Sequence, residues 1–368
     1  VNQSMNRRRF MQAASSVMTV GALSSGATQV SAASSGELRL NMSAGNFGEA
    51  VMSAFVKPFE AETGIKVTPV YQDLRVAQVA LMVKTNSVTI DAILINQPNA
   101  LSLAANSYVE KIDYSIHKQQ ELDGIVEYCK HPFGFGSQIY SMNIVYNTNK
   151  FPANKPRPTT WAEFWDVDKF PGTRALPSGQ FGFPAPWEEA LLADGVVKDA
   201  LYTNDIDRVF ASLDKIKPHV RKWWTSGAEN LQILRDEVAD IALSYDGRAL
   251  ALIDQGAPIE ISRNQAKLMW DYWIVPKGAP NAQNAQKFIE LVGRADRQAA
   301  FAQLFALSPS NRRAYELMPE KVTRKLATYL DYVASSYPVN GEWYAQTGSD
   351  GLSNSQRLIQ RWNGWIVR

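Results

Sequence analysis

The sequence predicts an α/β protein built on parallel sheet. Two observations carry this: short apolar runs alternate along the chain with segments of helical periodicity, and small or polar residues punctuate each change. The 368 residues, 45% of them hydrophobic, are enough for a large core and for about two domains at ~100–200 residues each.

The first strand is expected over 38–42, where Leu38, Leu40 and Met42 alternate. Ser43-Ala44-Gly45-Asn46-Phe47-Gly48 is a small-residue turn. A helix follows over 49–63, with Val51, Phe55 and Phe59 at helical spacing and Gly64 as its stop. A strand begins at Ile65, a helix spans 76–85, and a buried strand over 90–95 ends at Asn96-Gln97-Pro98. Strand, helix, strand, helix, strand argues for a parallel sheet covered by helices.

Sheet is expected again over 133–136 and 139–146, then a helix over 161–165 and a strand over 173–176. Helices follow over 187–202, 205–216, 228–236 and 247–255. A strand over 269–275 precedes Pro276, and one long helix spans 282–305. The last sixty residues read as helical, with patches rich in tyrosine and tryptophan.

Composition removes several classes of function. There are 38 basic and 36 acidic residues, a net +2 with interspersed signs, which gives no footprint for nucleic acid. Cys129 is the only cysteine, so neither an internal disulfide nor a cysteine-based zinc site is available. His117, His131 and His219 have no metal-protease spacing, and no nucleophile elbow or phosphate loop occurs. No cofactor and no metal are expected, and the chain does not read as an enzyme.

The first 32 residues read as an export signal. Arg7-Arg8-Arg9-Phe10-Met11 matches the twin-arginine motif, a weakly apolar stretch follows, and Val30-Ser31-Ala32 suits cleavage. A cut after Ala32 removes three arginines and no acid, leaving 35 basic against 36 acidic residues and a net −1. The expected location is therefore the periplasm.

Five segments resemble a known family. They are Pro58-Phe59-Glu60-Ala61-Glu62-Thr63-Gly64-Ile65-Lys66-Val67, Val145-Tyr146-Asn147-Thr148-Asn149, Thr160-Trp161-Ala162-Glu163-Phe164-Trp165, Gly256-Ala257-Pro258-Ile259 and Val275-Pro276-Lys277-Gly278-Ala279-Pro280-Asn281. In this order they resemble the extracellular solute-binding proteins of ABC importers, in the branch that includes spermidine/putrescine-binding proteins. The resemblance implies a two-lobe periplasmic binding-protein fold of type II, each lobe a sheet flanked by helices and the lobes joined by crossing strands. Lobe one would hold 37–145 and 272–309, and lobe two 146–271 and 310–368. It also implies a small-molecule ligand, an inner-membrane permease as partner, and a monomer.

The aromatic residues are the informative class for the ligand. In Trp270-Asp271-Tyr272-Trp273, period two puts Asp271 and Trp273 on one face. A carboxylate among rings suits an ammonium, which each ring attracts by ~0.5–2 kcal/mol. The resemblance carries the amine-gripping aspartate to Asp271 and a stacking ring to Tyr245. It carries first-lobe contacts to Asn46, Phe47, Asn96 and Gln97, and a polar contact to Tyr344.

Two departures appear. Pro177-Ser178-Gly179-Gln180-Phe181 offers Ser178 and Gln180 but no carboxylate where relatives hold a second amine, and Ala306-Leu307 replaces an expected aromatic. Arg248, two residues after Asp246 in Tyr245-Asp246-Gly247-Arg248, is a candidate anionic-ligand pole. One cationic and one anionic ligand pole would suit an ω-amino acid such as 4-aminobutyrate, with a polyamine the other amine-bearing solute. A carboxylate or sugar ligand, an exported enzyme, and a ligand-free sensor on the same fold stay open.

Overall fold

In the computed structural model, which describes residues 36–368 apart from 73, 203 and 204, the apolar runs become two triplets of parallel strands. The expected export signal over 1–32 lies outside the described residues. The strands, in chain order, are β1 (Glu37–Asn41), β2 (Lys66–Val70), β3 (Ala92–Asn96), β4 (Lys130–His131), β5 (Gly134–Phe135) and β6 (Gln138–Asn147). They continue as β7 (Arg174–Pro177), β8 (Val220–Trp224), β9 (Ile241–Tyr245), β10 (Ile259–Ile274), β11 (Ser308–Pro309) and β12 (Tyr337–Pro338).

The main strand order is β2-β1-β3-β10-β6-β9-β7-β8. β1 pairs in parallel with β2 and β3, and β7 in parallel with β8 and β9. Between the triplets run β10 and β6, antiparallel to each other and to the flanking strands β3 and β9. β10 belongs to both halves: its residues 271–274 pair with β3, and most of the rest with β6. These are the expected crossing strands.

Helices cover the sheets because each has an apolar face to bury. Phe55 and Phe59 are fully buried and meet the rings of Phe301 and Phe288. The first helix starts at Gly45 and ends at Thr63, with a π-helical stretch at Met52–Val56. Pro58 supplies no N–H, and its ring crowds the carbonyl four residues back; the wider turn accommodates both.

Several expected boundaries move. β10 is 16 residues long, because a register irregularity between Ser262 and Lys267 interrupts its alternation. β8 was not expected: Arg221 and Lys222 are exposed on what is an edge strand. The long helix divides into Ala282–Val292 and Ala295–Leu304. At the break, Arg294 pairs with Glu290 and Glu62, and the backbone N–H of Ala295 donates to Glu121. The expected 187–202 helix stops at Ala193, before Gly195 at φ 83°.

The C-terminal region is shared between the halves. Helix Asn354–Ile366 packs Trp362 and Trp365 against Trp187, Phe210 and Trp223 of the second half. Ala314, Met318 and Leu326 instead pack with Ala295, Ala299 and Ala302 of the first half. Among the described residues no helix is long and apolar enough to cross a membrane.

Candidate functional site

Parallel triplets leave a groove at the carboxyl ends of their strands, where successive loops diverge and helices begin. In the first half, β1 runs into Met42-Ser43-Ala44, and β3 ends at Asn96. The side-chain carbonyl of Asn96 accepts from the backbone N–H of Asn99 and so caps the Gln97–Ala105 helix. Gly48 lets the first turn fold back: a Cβ there would stand 2.6 Å from the Ser43 carbonyl oxygen. Asn41, Ser43, Ala44, Tyr71, Gln72, Asn96 and Asn99 line a recess of about 430 Å³, and Asp271 of β10 reaches into it.

Asp271 stands opposite Asn96 in the β10–β3 register. The hydroxyl of Tyr140, on β6, donates to Asp271 Oδ1 at 3.0 Å. Burial pushes the Asp271 carboxyl up to about 6, and the Tyr140 hydrogen bond holds back part of the rise. The Tyr140 ring lies 6.0 Å from that of Tyr245, and Tyr245 lies 5.7 Å from Trp224 at the end of β8. The indole N–H of Trp224, on a side chain 3% exposed, has no hydrogen-bond partner among the described residues.

Arg248 stands on the far side of this row of rings. Its guanidinium carbon is 5.9 Å from the Tyr245 ring centre, and the group lies against Gly227, the first residue of helix Gly227–Arg235. Arg248 is exposed and has no ion-pair partner among the described residues. A guanidinium and a helix N-terminus side by side both favour an anion between them. Phe47 packs edge-on against Phe301 and Phe305, and Phe305 and Leu307 reach within 4 Å of a Cβ built at Gly247. The first turn of one half thus meets the Tyr245–Arg248 turn of the other through Phe305.

Asp271 and Asn96 share the recess, Tyr245 neighbours Asp271 through Tyr140, Arg248 lies beyond Tyr245, and Phe47 reaches the Tyr245–Arg248 turn through Phe305, with Asn46 exposed on the first turn. Ser178, at the end of β7, uses its hydroxyl to accept from the Gln180 N–H, while Gln180 and Phe181 are exposed beside it. Four residues expected at the ligand are engaged elsewhere. Asp246 is 1% exposed; Ser141 and Arg263 occupy its oxygens, and it anchors the Asp246–Asp254 helix. Trp273 is fully buried against Phe288 and donates its indole N–H to Ser137. Tyr344 is fully buried and donates to Glu188 at 2.6 Å.

Gln97 points away from Asn96. It lies against Gly341 and lines a separate cavity of about 700 Å³ with Trp270 and Tyr272 on the opposite face of β10. The sequence assigns no role to Tyr140 and Phe305, which link Asp271 to Tyr245 and Phe47 to the Tyr245–Arg248 turn. Tyr140 sits on an apolar strand where period two alone assigns it no partner. Among the described residues no group of three or more His, Cys, Asp and Glu side chains is arranged to hold a metal ion.

Two α/β halves joined by crossing strands, with a polar and aromatic groove at the strand ends, define a binding protein for a small solute. Residues 54–328 match the bacterial extracellular solute-binding protein family, and the chain belongs to it. A γ-aminobutyric acid-binding protein of Pseudomonas aeruginosa is 29% identical over 322 residues, 86% of each chain. An ABC transporter substrate-binding protein from Bradyrhizobium japonicum shares the fold at a TM-score of 0.81 and 27% identity, covering 90% of this chain and 99% of that one. The structure of the Atu4243-GABA receptor aligns at a TM-score of 0.79 and 29% identity, over 89% of this chain and 97% of its own.

Proposed function

We propose that this chain captures an amine-bearing small solute, with an ω-amino acid such as 4-aminobutyrate favoured over a polyamine, and delivers it to an ABC permease. The observation that carries the reading is Asp271: a carboxylate in the groove, beside the rings of Tyr140 and Tyr245, with Arg248 beyond them. The ammonium would meet Asp271 and the ring faces; the carboxylate would meet Arg248 and the first turn of Gly227–Arg235. The relatives whose names specify γ-aminobutyric acid support the same ligand class.

Groups on both halves would contact the solute, so binding favours the closed arrangement by the difference in affinity between the two states. β6 and β10 are the segments that would flex. The lobe limits belong to this reading, 37–145 with 272–309 against 146–271 with 310–368; the pairing of residues 271–274 of β10 with β3 supports the division there, whereas the packing of Ala314–Leu326 on the first half does not support 310 as the last limit. The reading includes a monomer exported through a twin-arginine leader to the periplasm.

The test is calorimetric titration of the protein from residue 33 onward with 4-aminobutyrate, putrescine and spermidine. Heat and a thermal shift are expected with 4-aminobutyrate. No heat with any of the three would remove the amine reading.

A further inference from the structure

Asp271 has two carboxylate oxygens, and the protein uses one. Tyr140 donates to Oδ1, whereas Oδ2 has no hydrogen-bond partner among the described residues. The arrangement is rigidly placed. Tyr140 stands opposite Met269 in the β6–β10 register, two residues from Asp271, so both groups sit on crossing strands and not on loops. The half-buried Tyr140 ring is also braced by Tyr245.

Oxygen count discriminates between cations. A primary ammonium needs one good acceptor and completes its shell with ring faces or amide oxygens, whereas a guanidinium binds best when its fork meets both oxygens of a carboxylate. We propose that Tyr140 is the positioning and specificity-setting residue of the amine pole: its hydroxyl takes one acceptor position on Asp271 Oδ1 and leaves Oδ2 the fully open oxygen, which biases the pole toward primary ammonium solutes and against a guanidinium fork that needs both oxygens. This rests on the amine reading above and deepens it.

A second consequence follows from the same bond. A hydrogen bond to the ionised form favours that form. Asp271 is pushed upward by burial, and the Tyr140 hydroxyl opposes the push. The groups facing the carboxyl are few: Tyr140 from β6, Tyr245 from β9, the uncharged Asn96 and Asn99 from the first half, and Tyr71 and Gln72 from the loop after β2. Arg248 lies beyond Tyr245, and Asp246, on the same turn, is paired with Arg263. Removing the hydroxyl therefore removes the one side-chain hydrogen bond that the carboxyl accepts among the described residues.

The experiment compares wild type with Tyr140→Phe, which keeps the ring. Titrations with 4-aminobutyrate and 4-guanidinobutyrate at pH 8 give the discrimination ratio, and the carboxyl ¹³C resonance of Asp271, assigned with Asp271→Asn, gives its midpoint in ligand-free protein. Tyr140→Phe is expected to narrow the preference for the amine by about tenfold and to raise the Asp271 midpoint by about half a pH unit or more. An unchanged ratio with an unchanged midpoint would overturn the proposal, as would a midpoint that falls. If wild type binds neither compound, the amine reading fails, while the carboxyl titration still decides whether Tyr140 governs Asp271.

Discussion

The ammonium of Lys267 lies 2.8 Å from Glu188 and 2.9 Å from Glu189, with all three side chains at most 2% exposed. Lys267 belongs to β10, just past the register irregularity, so this buried cluster locks a crossing strand onto the Trp187–Ala193 helix. Tyr202 and Tyr344 donate to Glu188, and Tyr337 donates to Glu189. Lys267→Met would strand two buried carboxyl groups without their cation. A loss of about 3–5 kcal/mol is expected, read as a lowered denaturation midpoint in urea.

Glu189 gives the cluster a pH signature. Burial raises its carboxyl to about 7, against the pull of Lys267. Its folded-state value lies above the unfolded one, so the folded form binds the proton more tightly. Its contribution to stability is full below the ordinary carboxylate range and is lost as pH rises from about 4.5 to about 7. Glu189→Gln removes that dependence. The variant should lose less stability than wild type between pH 5 and pH 8 in thermal melts, and identical slopes would contradict the assignment.

Asp271 should trade stability for binding. Its carboxyl is also raised, to about 6, so ionising it in the groove costs the ligand-free protein free energy at neutral pH. With solvent screening on the open side, about 1–2 kcal/mol is a fair scale. Asp271→Asn should therefore melt higher than wild type without ligand at pH 7.5, yet show no ligand-induced shift. In wild type, amine affinity should be constant above about pH 7 and fall as pH drops below about 6, where the proton competes with the ammonium. Calorimetry from pH 5 to 8 measures this limb.

Much of this architecture was legible in the chain, and the exceptions share a cause. The runs Leu38–Met42 and Ile90–Ile95 were readable because both faces or alternate positions are buried, and Asp271 because it interrupts aromatic residues on such a run. Where backbone geometry breaks the period, the pattern fails: 259–268 reads as polar because residues 263–266 lie in the irregularity of β10, with Gln265 at φ 54°. Trp273 and Asp271 share a face by period two, yet one is core and one faces the groove. Alternation fixes a face and not the depth along the strand, and Phe288 covers only the Trp273 end. Arg263 shows the same limit: its pairing with Asp246 arises from the irregularity and removes Asp246 from the groove.

Arg248 should distinguish ligands by their second pole. It is exposed, has no carboxylate partner among the described residues, and lies at a helix N-terminus that is itself unfavourable for a cation. Arg248→Ala should weaken 4-aminobutyrate by about 10–100-fold, the scale of one charge-assisted hydrogen-bond pair, and leave a monoamine lacking a carboxylate unchanged. Parallel titrations with 4-aminobutyrate and butylamine measure the ratio. Equal weakening of both would place Arg248 in the scaffold of the groove and not at an anionic pole.

Gln265 tests the crossing strand itself. Its backbone is left-handed at φ 54°, its side-chain carbonyl accepts from the backbone N–H of Trp161, and its own carbonyl accepts from the Trp161 indole N–H. One residue thus fixes both the irregularity of β10 and the start of the Trp161–Trp165 helix. Gln265→Val places a β-branched side chain in a region such residues avoid and deletes one hydrogen bond, a combined cost of about 2–4 kcal/mol. Gln265→Gly relieves the backbone while deleting the same side chain, so it should cost less than Val. If the register of β10 governs how the two halves approach, Val should also slow ligand-induced closure seen by stopped-flow tryptophan fluorescence, while Gly leaves it near wild type. A Gly variant less stable than Val would show that the left-handed backbone at this position is not the source of the cost.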